Sequence, residues 1–429
     1  MSYPDALAYL YSRLPVFHRV GPKALKPGLT NIIRLCEALG NPHNDLKCIH
    51  VGGTNGKGSS SHMLAAIYQS AGYRTGLYTS PHLKSFTERI RVDGSGVDEA
   101  FVARFVTENQ LLIESIEPSF FEVTVAMAFQ YFREQNIDLA VIEVGLGGRL
   151  DSTNIIQPLA CLITNIGWDH SDVLGDTLTA IAGEKAGIIK YHTPVVIGEH
   201  GDETDAVFRR IADLQETAIR FAPDTYQIHS VSVGLSKRLI EVKNSTWNDI
   251  RAYELGLTGS YQVKNVAGVL NIVECLQSTF PIPEEAIAKG LRDVIELTGL
   301  KGRWQVLQHT PAVVCDTAHN EPGMKALIEH INEMTFNRLH LILGCVRDKD
   351  VQRVIRYLPA SAVYYFCQPE GIRALPGEEL QSLAALAGLS GSVYADVNIA
   401  IQQAVSQADS DDLIVITGSN YLIAEVNGL

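Results

Sequence analysis

The segment CIHVGGTNGKGSS, residues 48–60, carries the strongest chemical signal in the sequence. An apolar run enters a loop with four glycines around Lys57, and a helical pattern begins after Ser59. Glycines let backbone N–H groups surround a phosphate, the helix N-terminus adds a favourable dipole, and the lysine supplies positive charge. The usual G-x-x-x-x-G-K-[ST] pattern is altered, because Gly58 separates Lys57 from Ser59. The segment predicts a nucleotide-binding loop, with a glycine-rich βα turn as the alternative.

Polar side chains follow several other apolar runs. Glu143 ends the run in LAVIEVGLGGRLD, Asp169 and His170 follow the run in LITNIGWDHS, and Ser80 follows the run in GLYTSPH. Oxygen ligands at the carboxyl ends of parallel strands, beside a phosphate loop, are typical of a Mg²⁺ site. The pattern therefore predicts such a site. The alternatives are a strand-end cap for Glu143 and a structural role for His170.

Two further segments carry charged or polar groups. GEKAGIIK, residues 183–190, places Lys185 and Lys190 near a helix end, where lysines usually lie in solvent and complement the helix dipole. VVCDTAHNEPG, residues 313–323, ends an apolar run at Asp316 and continues with His319 and Asn320. This turn predicts ligand-facing side chains, although Asn320 also has the residue type of a helix cap.

Short apolar runs that alternate with helical patterns must position these residues. Strands are predicted at 47–51, 74–78, 139–144, 160–165 and 194–197, and helices at 59–71, 98–116, 123–134 and 177–189. This alternation predicts an α/β fold with a parallel sheet covered on both faces.

The pattern changes twice along the chain. Residues 226–257 alternate like antiparallel strands, and the βαβ pattern resumes after residue 300. We therefore predict an N-terminal domain of residues 1–299 and a smaller C-terminal α/β domain of residues 300–429. A cleft between two such domains is a usual place for an active site that binds two substrates.

The composition excludes several classes of protein. Of 429 residues, 46% are hydrophobic and 19% are charged, as in globular proteins. The 35 Lys and Arg residues against 48 Asp and Glu residues give a net charge of −13, which argues against nucleic acid as a partner. The seven cysteines show no C-x-x-C spacing, and neither a signal peptide nor a bilayer-spanning window is visible. We therefore expect a cytoplasmic protein that does not act at a membrane.

From about residue 28 to the C-terminus, the sequence resembles the folylpolyglutamate synthase/dihydrofolate synthase family of the Mur ligase superfamily. Nine motifs occur in the order typical of that family: PGLTNIIRLCEALGNP, HVGGTNGKGS, GLYTSPHLKSFTERIRV, FFEVTVAMAFQYF, EVGLGGRLDSTN, DHSDVLGDT, EKAGIIK, KGRW and DTAHN. The resemblance implies an N-terminal P-loop parallel-sheet domain of the ATPase type, followed by a Rossmann-like glutamate ligase domain.

The resemblance also implies roles for individual residues. The family's nucleotide contacts match Asn55, Gly56, Lys57, Gly58, Ser59, Asn265, Arg303 and Asp316, with His319 in the same motif as Asp316. The Mg²⁺ ligands match Ser80, Glu143 and His170, and the family lysine that becomes carbamylated, and so able to bind a second Mg²⁺, matches Lys185. Lys57, His170 and Lys185 are therefore the expected catalytic residues. The pteroate-binding stretches match Ser119, Phe120, Phe121 and Glu122, and Leu150, Asp151 and Ser152.

The sequence departs from the family pattern at a few positions. Gly52 replaces the usual Ala, Tyr261 a common His, Lys301 a common Pro, and Thr317 the usual Gly. The proline after His-Asn is displaced by one position, to Pro322. None of these changes removes a charged site residue, so they bear on nucleotide affinity and leave the type of reaction unaffected.

The implied reaction is the ATP-dependent joining of L-glutamate to dihydropteroate, to tetrahydrofolate, or to both, through an acyl phosphate. We expect both activities and a monomeric enzyme. The alternatives are a folylpolyglutamate synthase alone, another Mur-type amino-acid ligase, a nucleotide-driven switch that uses the P-loop without ligation, and an inactive binding protein.

Overall fold

The computed structural model describes residues 1–15, 28–245, 249–347 and 351–429, and only the backbone of Ser171. Pro27, the first residue of the motif PGLTNIIRLCEALGNP, lies outside the described residues. The chain divides into two compact units. The first comprises Met1–His229, Glu241–Tyr253 and Lys264–Gly299, and the second comprises Ser230–Ile240, Glu254–Val263 and Leu300–Leu429.

An eight-stranded sheet forms the centre of the first unit. Its strands are β1 (Cys48–Gly52), β2 (Thr75–Tyr78), β3 (Ile90–Val92), β4 (Ser95–Gly96), β5 (Leu139–Glu143), β6 (Ala160–Ile163), β7 (Val195–Ile197) and β8 (Ile219–Phe221). Their order in the sheet is β4-β3-β2-β5-β1-β6-β7-β8. All neighbouring pairs from β2 to β8 are parallel, and β3 and β4 extend one edge in antiparallel pairing.

Helices account for most of the remaining chain up to residue 298. They are α1 (Tyr3–Arg13), α2 (Thr30–Ala38), α3 (Lys57–Ser70), α4 (Glu99–Ile116), α5 (Phe120–Glu134), α6 (Ser171–Leu174), α7 (Leu178–Ala186), α8 (Asp205–Leu214), α9 (Ala222–Thr225), α10 (Gln262–Leu276), α11 (Glu284–Arg292) and α12 (Val294–Thr298). Every residue of β1, β5 and β6 is buried, so helices cover both faces of the sheet, and the predicted parallel α/β fold is confirmed.

The strand order determines where polar side chains meet. β1 is paired with β5 on one side and β6 on the other, and β2 follows β5. Because these four strands are parallel, the loops that leave their carboxyl ends emerge at one edge of the sheet. In α/β proteins that edge is where ligands bind.

Residues 226–257, whose sequence pattern predicted antiparallel strands, contain a three-stranded sheet. It contains β9 (Tyr226–Val233), β10 (Arg238–Asn244) and β11 (Ile250–Leu255), in the order β11-β10-β9. Its residues are divided between the two units.

The second unit contains a six-stranded sheet. Its strands are β12 (Gln305–His309), β13 (Ala312–Cys315), β14 (Leu339–Leu343), β15 (Val363–Cys367), β16 (Gly391–Tyr394) and β17 (Leu413–Thr417), in the order β12-β13-β17-β14-β15-β16. Only β12 pairs antiparallel with its neighbour. The helices are α13 (Glu321–Asn332), α14 (Val351–Ile355), α15 (Gly377–Leu386), α16 (Val397–Gln407) and α17 (Asn420–Glu425). Among the helices that the structure describes, none combines the length and hydropathy that a bilayer crossing requires.

Candidate active site

The glycine-rich loop connects β1 to α3, and the end of β6 fixes its backbone. The Thr164 hydroxyl donates to the carbonyl oxygen of Asn55 at 2.6 Å, and the Asn165 side-chain oxygen accepts the Asn55 N–H at 2.9 Å. Gly53 has a φ of +138°, and a β-carbon there would lie 1.9 Å from the Thr164 hydroxyl oxygen. Only glycine fits at this position, because both the backbone conformation and the close approach exclude a side chain.

Helix α3 begins at Lys57, two residues earlier than the sequence pattern predicted. Gly56 caps the helix in a left-handed conformation, with φ +82°, and Lys57, Gly58 and Ser59 form the first turn. A glycine cap has no side chain to occupy the first N–H groups, so the helix N-terminus offers them to an anion. The Lys57 amine donates to two loop carbonyl oxygens at 3.1 and 3.0 Å. The loop therefore has the backbone and the charge of a phosphate site.

Asn265, from the first turns of α10, packs against this loop. Its side chain is buried, and its oxygen would lie 2.3 Å from a β-carbon at Gly56. The structure thus brings together Asn265 and the glycine-rich loop, which are 209 positions apart and which the sequence could only associate through the family resemblance.

Ser80 and Glu143 meet at the carboxyl ends of adjacent strands. Tyr78 and Ile142 are paired partners on β2 and β5, so the residues that follow lie side by side. One carboxylate oxygen of the buried Glu143 accepts the Ser80 N–H at 2.9 Å. This hydrogen bond orients the carboxylate, as partners of metal-binding carboxylates commonly do.

Lys185 is buried in the last turn of α7, so its interpretation as a solvated helix end is wrong. Its amine donates to the carbonyl oxygen of Gly53 at 2.8 Å, which places it at the glycine-rich loop. Burial, together with the positive charge of Lys57, lowers the pKa of Lys185 to about 7, although Asp169 and Asp151 act in the opposite direction. A lysine with this pKa is largely an uncharged nucleophile at neutral pH.

His170 lies in the loop after β6, directly before α6. Its backbone has a φ of +51°, and its N–H donates to the Asp169 carboxylate at 3.0 Å. The ring nitrogen Nε2 lies 3.7 Å from the same carboxylate. The Asp169 charge raises the pKa of Lys185 and so opposes the effect of burial.

The predicted metal ligands Ser80, Glu143, His170 and Lys185 include a single carboxylate. The described part of the chain contains no cluster of three or more His, Cys, Asp or Glu residues able to hold a metal. The predicted set has only one glutamate and one histidine, and its other members are Ser80 and Lys185. Ser80 and Glu143 are in contact, and an uncharged Lys185 has the chemistry that a carbamate requires. These residues therefore fit Mg²⁺ when Lys185 is carbamylated and when water and nucleotide oxygens supply the remaining ligands. Mg²⁺ usually keeps several waters and binds one or two carboxylates and substrate phosphates.

In the second unit, Asp316 follows β13 and is fully hydrogen-bonded. One carboxylate oxygen accepts the Tyr261 hydroxyl at 2.6 Å and the Trp304 N–H at 2.8 Å, and the other accepts the Ala318 N–H at 2.9 Å. Burial raises the pKa of the Asp316 carboxyl, and these hydrogen bonds oppose the rise. Burial and the Asp316 charge raise the pKa of Tyr261 well above its usual value, so Tyr261 remains a donor.

The other predicted residues of this turn are close by. The Arg303 guanidinium donates to the Thr317 hydroxyl, and the His319 ring contacts the carbonyl oxygen of Thr317 at 2.9 Å. Asn320 is the N-cap of α13, because its side-chain oxygen accepts the Gly323 N–H at 2.9 Å. The alternative that the sequence left open for Asn320 is the one observed. Tyr261 and Thr317, two of the departures from the family pattern, both contact predicted nucleotide residues.

The two predicted pteroate-binding stretches hold their polar side chains in local hydrogen bonds. Ser119 and Glu122 form a reciprocal capping box at the start of α5. The buried Asp151 carboxylate accepts the N–H groups of Leu146 and Thr153 at 2.8 and 3.0 Å. The other residues of the two stretches are neighbours of these polar residues in the chain: Phe120, Phe121, Leu150 and Ser152. Leu150 is the most exposed of the four. Side-chain hydrogen bonds thus fix the backbone of both stretches.

Sequence reasoning missed Thr164 and Asn165, which hold the glycine-rich loop. The available signal was their position directly after the apolar run of β6, where polar residues reach the ligand-binding edge of a parallel sheet. It also missed the direct contact of Tyr261 with Asp316.

Comparison with protein families agrees with this geometry. Residues 51–273 match the Mur ligase middle domain, and residues 302–420 match the Mur ligase glutamate ligase domain. The fold is thus that of a Mur-type ligase.

Individual relatives identify the family within the Mur ligases. The chain is 32% identical to the dihydrofolate synthase/folylpolyglutamate synthase of Bacillus subtilis, over 99% of this chain and 98% of that protein. It is 33% identical to a probable bifunctional folylpolyglutamate synthase/dihydropteroate synthase of Haloferax volcanii, over 99% of this chain, and it spans only 50% of that longer protein. The chain belongs to the dihydrofolate synthase/folylpolyglutamate synthase family.

Solved structures support the same assignment. The E. coli FolC protein in complex with DHPP and ADP superimposes with a TM-score of 0.86 at 27% identity, over 99% of this chain and 96% of that one. A bifunctional folylpolyglutamate synthase/dihydrofolate synthase with Mn, AMPPNP and L-glutamate bound gives a TM-score of 0.84 at 27% identity, over 99% and 97% of the two chains. Members of this fold therefore bind an adenine nucleotide and a divalent metal.

Proposed function

We propose that the protein is an ATP-dependent ligase that joins L-glutamate to dihydropteroate and to tetrahydrofolate. The observation that carries this proposal is the convergence of Lys57, Lys185 and the Ser80–Glu143 pair on the loops at one edge of the parallel sheet. A phosphate cradle, an oriented carboxylate and an uncharged buried lysine are the parts that carboxylate activation by ATP requires.

The nucleotide phosphates occupy the glycine-rich loop. Backbone N–H groups from Gly56 to Ser59 and the dipole of α3 bind the phosphate oxygens, and Lys57 neutralises their charge. Asn265, packed against Gly56, lies beside this cradle. In the second unit, Arg303, Asp316 and His319 are assigned to the same nucleotide by the family motif.

Magnesium would be held by Ser80 and Glu143, and a second ion by His170 and the carbamate of Lys185. When bound, these ions supply positive charge that stabilises the transferring phosphoryl group and the developing oxyanion. The chain's own contribution is orientation, because the Ser80 N–H donates to one oxygen of the Glu143 carboxylate.

The environment of Lys185 supports its carbamylation. The uncharged amine adds to the carbon of CO₂, forming an N–C bond as one C–O π bond becomes a carboxylate oxygen, and the nitrogen releases one proton, so that a neutral group becomes an anion. The pKa of about 7 leaves a substantial uncharged fraction at neutral pH. The resulting negative charge is the change that makes Lys185 a ligand for a metal ion.

The reaction then proceeds in two steps. A carboxylate oxygen of the acceptor attacks the γ-phosphorus of ATP, the bond to the β-phosphate bridging oxygen breaks, and ADP leaves. The amine of L-glutamate attacks the acyl carbon, the carbon–oxygen bond to phosphate breaks, and the amine loses a proton. The stretches containing Ser119, Phe120, Phe121 and Glu122, and Leu150, Asp151 and Ser152, hold the acceptor. We expect the partners to be small molecules and not nucleic acid. We also expect the enzyme to act as a monomer in the cytoplasm.

The test is phosphate release from ATP and Mg²⁺ with each acceptor in turn, with and without L-glutamate, and mass spectrometry of the products. We expect release that depends on glutamate with both dihydropteroate and tetrahydrofolate, and products heavier by one glutamyl residue. Activity with tetrahydrofolate alone would reduce the proposal to a folylpolyglutamate synthase. Hydrolysis of ATP without any ligated product would contradict it.

A further inference from the structure

Arg89 is a buried cation in the loop between β2 and β3. The residue is only 5% exposed. Its Nε donates to Nδ1 of His82 at 2.7 Å, and its guanidinium carbon lies 5.3 Å from the centroid of the Phe120 ring. Accepting this bond requires an unprotonated Nδ1, so His82 contributes no charge that could compensate the guanidinium.

The charge of Arg89 has no carboxylate partner within the described ranges of the chain. Two other arginines are comparably buried, and both bind oxygen acceptors. Arg238 pairs with Glu333 and also donates to Ser230 and to the Thr258 carbonyl. Arg91 donates to the carbonyl oxygens of Glu88 and Gly299. Burying a charge without a counter-charge is costly, and proteins usually avoid it unless a ligand supplies the missing charge. Arg89 therefore has the electrostatics of an anion-binding residue.

The loop that carries Arg89 is rigid. The Glu88 carboxylate accepts three consecutive backbone N–H groups, from Leu83, Lys84 and Ser85, at 2.8, 3.1 and 3.1 Å. Three such bonds to a single carboxylate fix the course of the loop before any ligand arrives. Arg89 is thus held in position, which reduces the entropy lost when it binds an anion.

Arg89 touches both the acceptor stretch and the metal loop. Phe120, under its guanidinium, belongs to the first predicted pteroate-binding stretch. His82 lies two residues after Ser80, whose N–H binds Glu143. A carboxylate that reaches Arg89 would therefore lie in the region where the acceptor acid must be activated.

We propose that Arg89 binds a carboxylate of the acceptor acid through its guanidinium fork, with His82 and Phe120 positioning the guanidinium. The inference rests on the proposed function, because that function identifies the acceptor as a carboxylic acid. Binding of the acid supplies the negative charge that the buried cation lacks. A neutral ligand of the same shape would leave the charge uncompensated.

The test compares binding of dihydropteroate with binding of its neutral carboxamide, by titration calorimetry in the presence of ADP and Mg²⁺. The native protein is expected to bind the acid about tenfold or more tightly than the carboxamide, as a charge-assisted hydrogen bond implies. Arg89→Gln should bring the ratio close to one, and Arg89→Lys should retain part of it. An unchanged ratio in Arg89→Gln, or no preference in the native protein, would overturn the proposal.

A matched control is available on the same unit. The guanidinium of Arg104 also lies 5.3 Å from a phenyl centroid, that of Phe101, but Arg104 is exposed and pairs with Glu134. Arg104→Gln should leave the acid-to-carboxamide ratio unchanged. If Arg89→Gln does not fold, as judged by circular dichroism, Arg89→Lys decides the question, since loss of bidentate geometry must lower the ratio.

Failure of this inference can be distinguished from failure of the proposed function. Native protein that ligates glutamate while Arg89→Gln and Arg89→Lys keep the full acid preference would refute only the role of Arg89. Native protein that prefers the acid, loses that preference in Arg89→Gln, and forms no ligated product would refute only the ligase.

Discussion

Lys57 and Lys185 donate to the same carbonyl oxygen, that of Gly53, at 3.1 and 2.8 Å. Burial, and after it the repulsion from the Lys57 ammonium at the same acceptor, lower the pKa of Lys185 to about 7. We propose different roles for the two lysines: Lys57 binds the phosphates as a cation, and Lys185 reacts with CO₂.

Lys185 gives a prediction about pH and carbon dioxide. Below pH 7 the amine is mostly protonated and cannot add CO₂, and above pH 7 it is mostly uncharged. Activity should therefore fall in CO₂-free buffer, recover on addition of bicarbonate, and need more bicarbonate at pH 6 than at pH 8. Steady-state rates measured under these four conditions check this, and Lys185→Ala should be inactive in all of them. Full activity of the native enzyme without CO₂, or an unmodified Lys185 in the mass spectrum of active enzyme, would argue against the carbamate.

Lys57 gives a prediction about phosphoryl transfer. Lys57→Ala removes the charge that neutralises the transferring phosphoryl group, so ADP release should drop by at least about a hundredfold. Lys325→Ala, which removes an exposed lysine of α13, is the control and should leave the rate within twofold. Near-normal turnover of Lys57→Ala would remove the phosphate-loop assignment.

The turn after β13 illustrates how an element adapts to changed residues. Tyr261 and Thr317 replace residue types that the family pattern leads us to expect, and each bonds to a predicted nucleotide residue, Asp316 or Arg303. Tyr261→Phe removes one of three donors from a buried carboxylate. We expect the KM for ATP to rise several-fold with kcat changed less than twofold, since binding is perturbed more than chemistry.

A second substitution at position 261 serves as the comparison for Tyr261→Phe. Tyr261→His replaces the phenol with the residue type common in the family and should restore part of the ATP affinity, while the KM for glutamate stays unchanged in both variants. An equal loss in all kinetic constants, accompanied by a lower free energy of unfolding, would show that Tyr261 is only structural.

Strand β1 supplies a prediction about stability. His50 is completely buried on β1, Nε2 lies 2.8 Å from the Thr153 hydroxyl, and burial lowers its pKa to about 3. The unfolded chain, with a histidine pKa near 6.5, binds a proton below pH 6.5 that the folded state excludes. The free energy of unfolding should therefore fall as the pH drops from 6.5 towards 3, by up to several kcal/mol.

Urea unfolding at pH 7 and at pH 4.5 measures this effect. His50→Gln, which cannot take up the proton, should show a smaller difference between the two pH values than the native protein. Equal differences would mean that other groups account for the acid sensitivity.

The fold and much of the candidate site could be predicted from the sequence, because the patterns that indicate them lie within short segments of the chain. Apolar runs that alternate with helical patterns predict parallel strands, and polar residues at the ends of those runs must emerge at one edge of the sheet. The burial of Lys185 is not local, since a lysine in a last helical turn is usually solvated, and only the packing of α7 against the Gly53 loop buries it. The contact between Tyr261 and Asp316 likewise joins residues 55 positions apart, and no spacing rule predicts it.

At the level of the whole molecule, the chain comprises a unit with the glycine-rich loop and a second α/β unit. In the proposed reaction, ATP activates the acceptor by phosphorylating its carboxylate, and Lys57, Glu143 and Lys185 serve this step. Glutamate ligation and nucleotide hydrolysis can both be observed without establishing that step.

The most direct measurement follows an oxygen atom from acceptor to phosphate. Dihydropteroate with both carboxylate oxygens labelled with ¹⁸O is incubated with ATP, Mg²⁺ and L-glutamate, and the released phosphate is analysed by mass spectrometry. If an acyl phosphate forms, each phosphate released during ligation carries one ¹⁸O atom and the new amide retains the other. Ligated product accompanied by unlabelled phosphate would contradict the account.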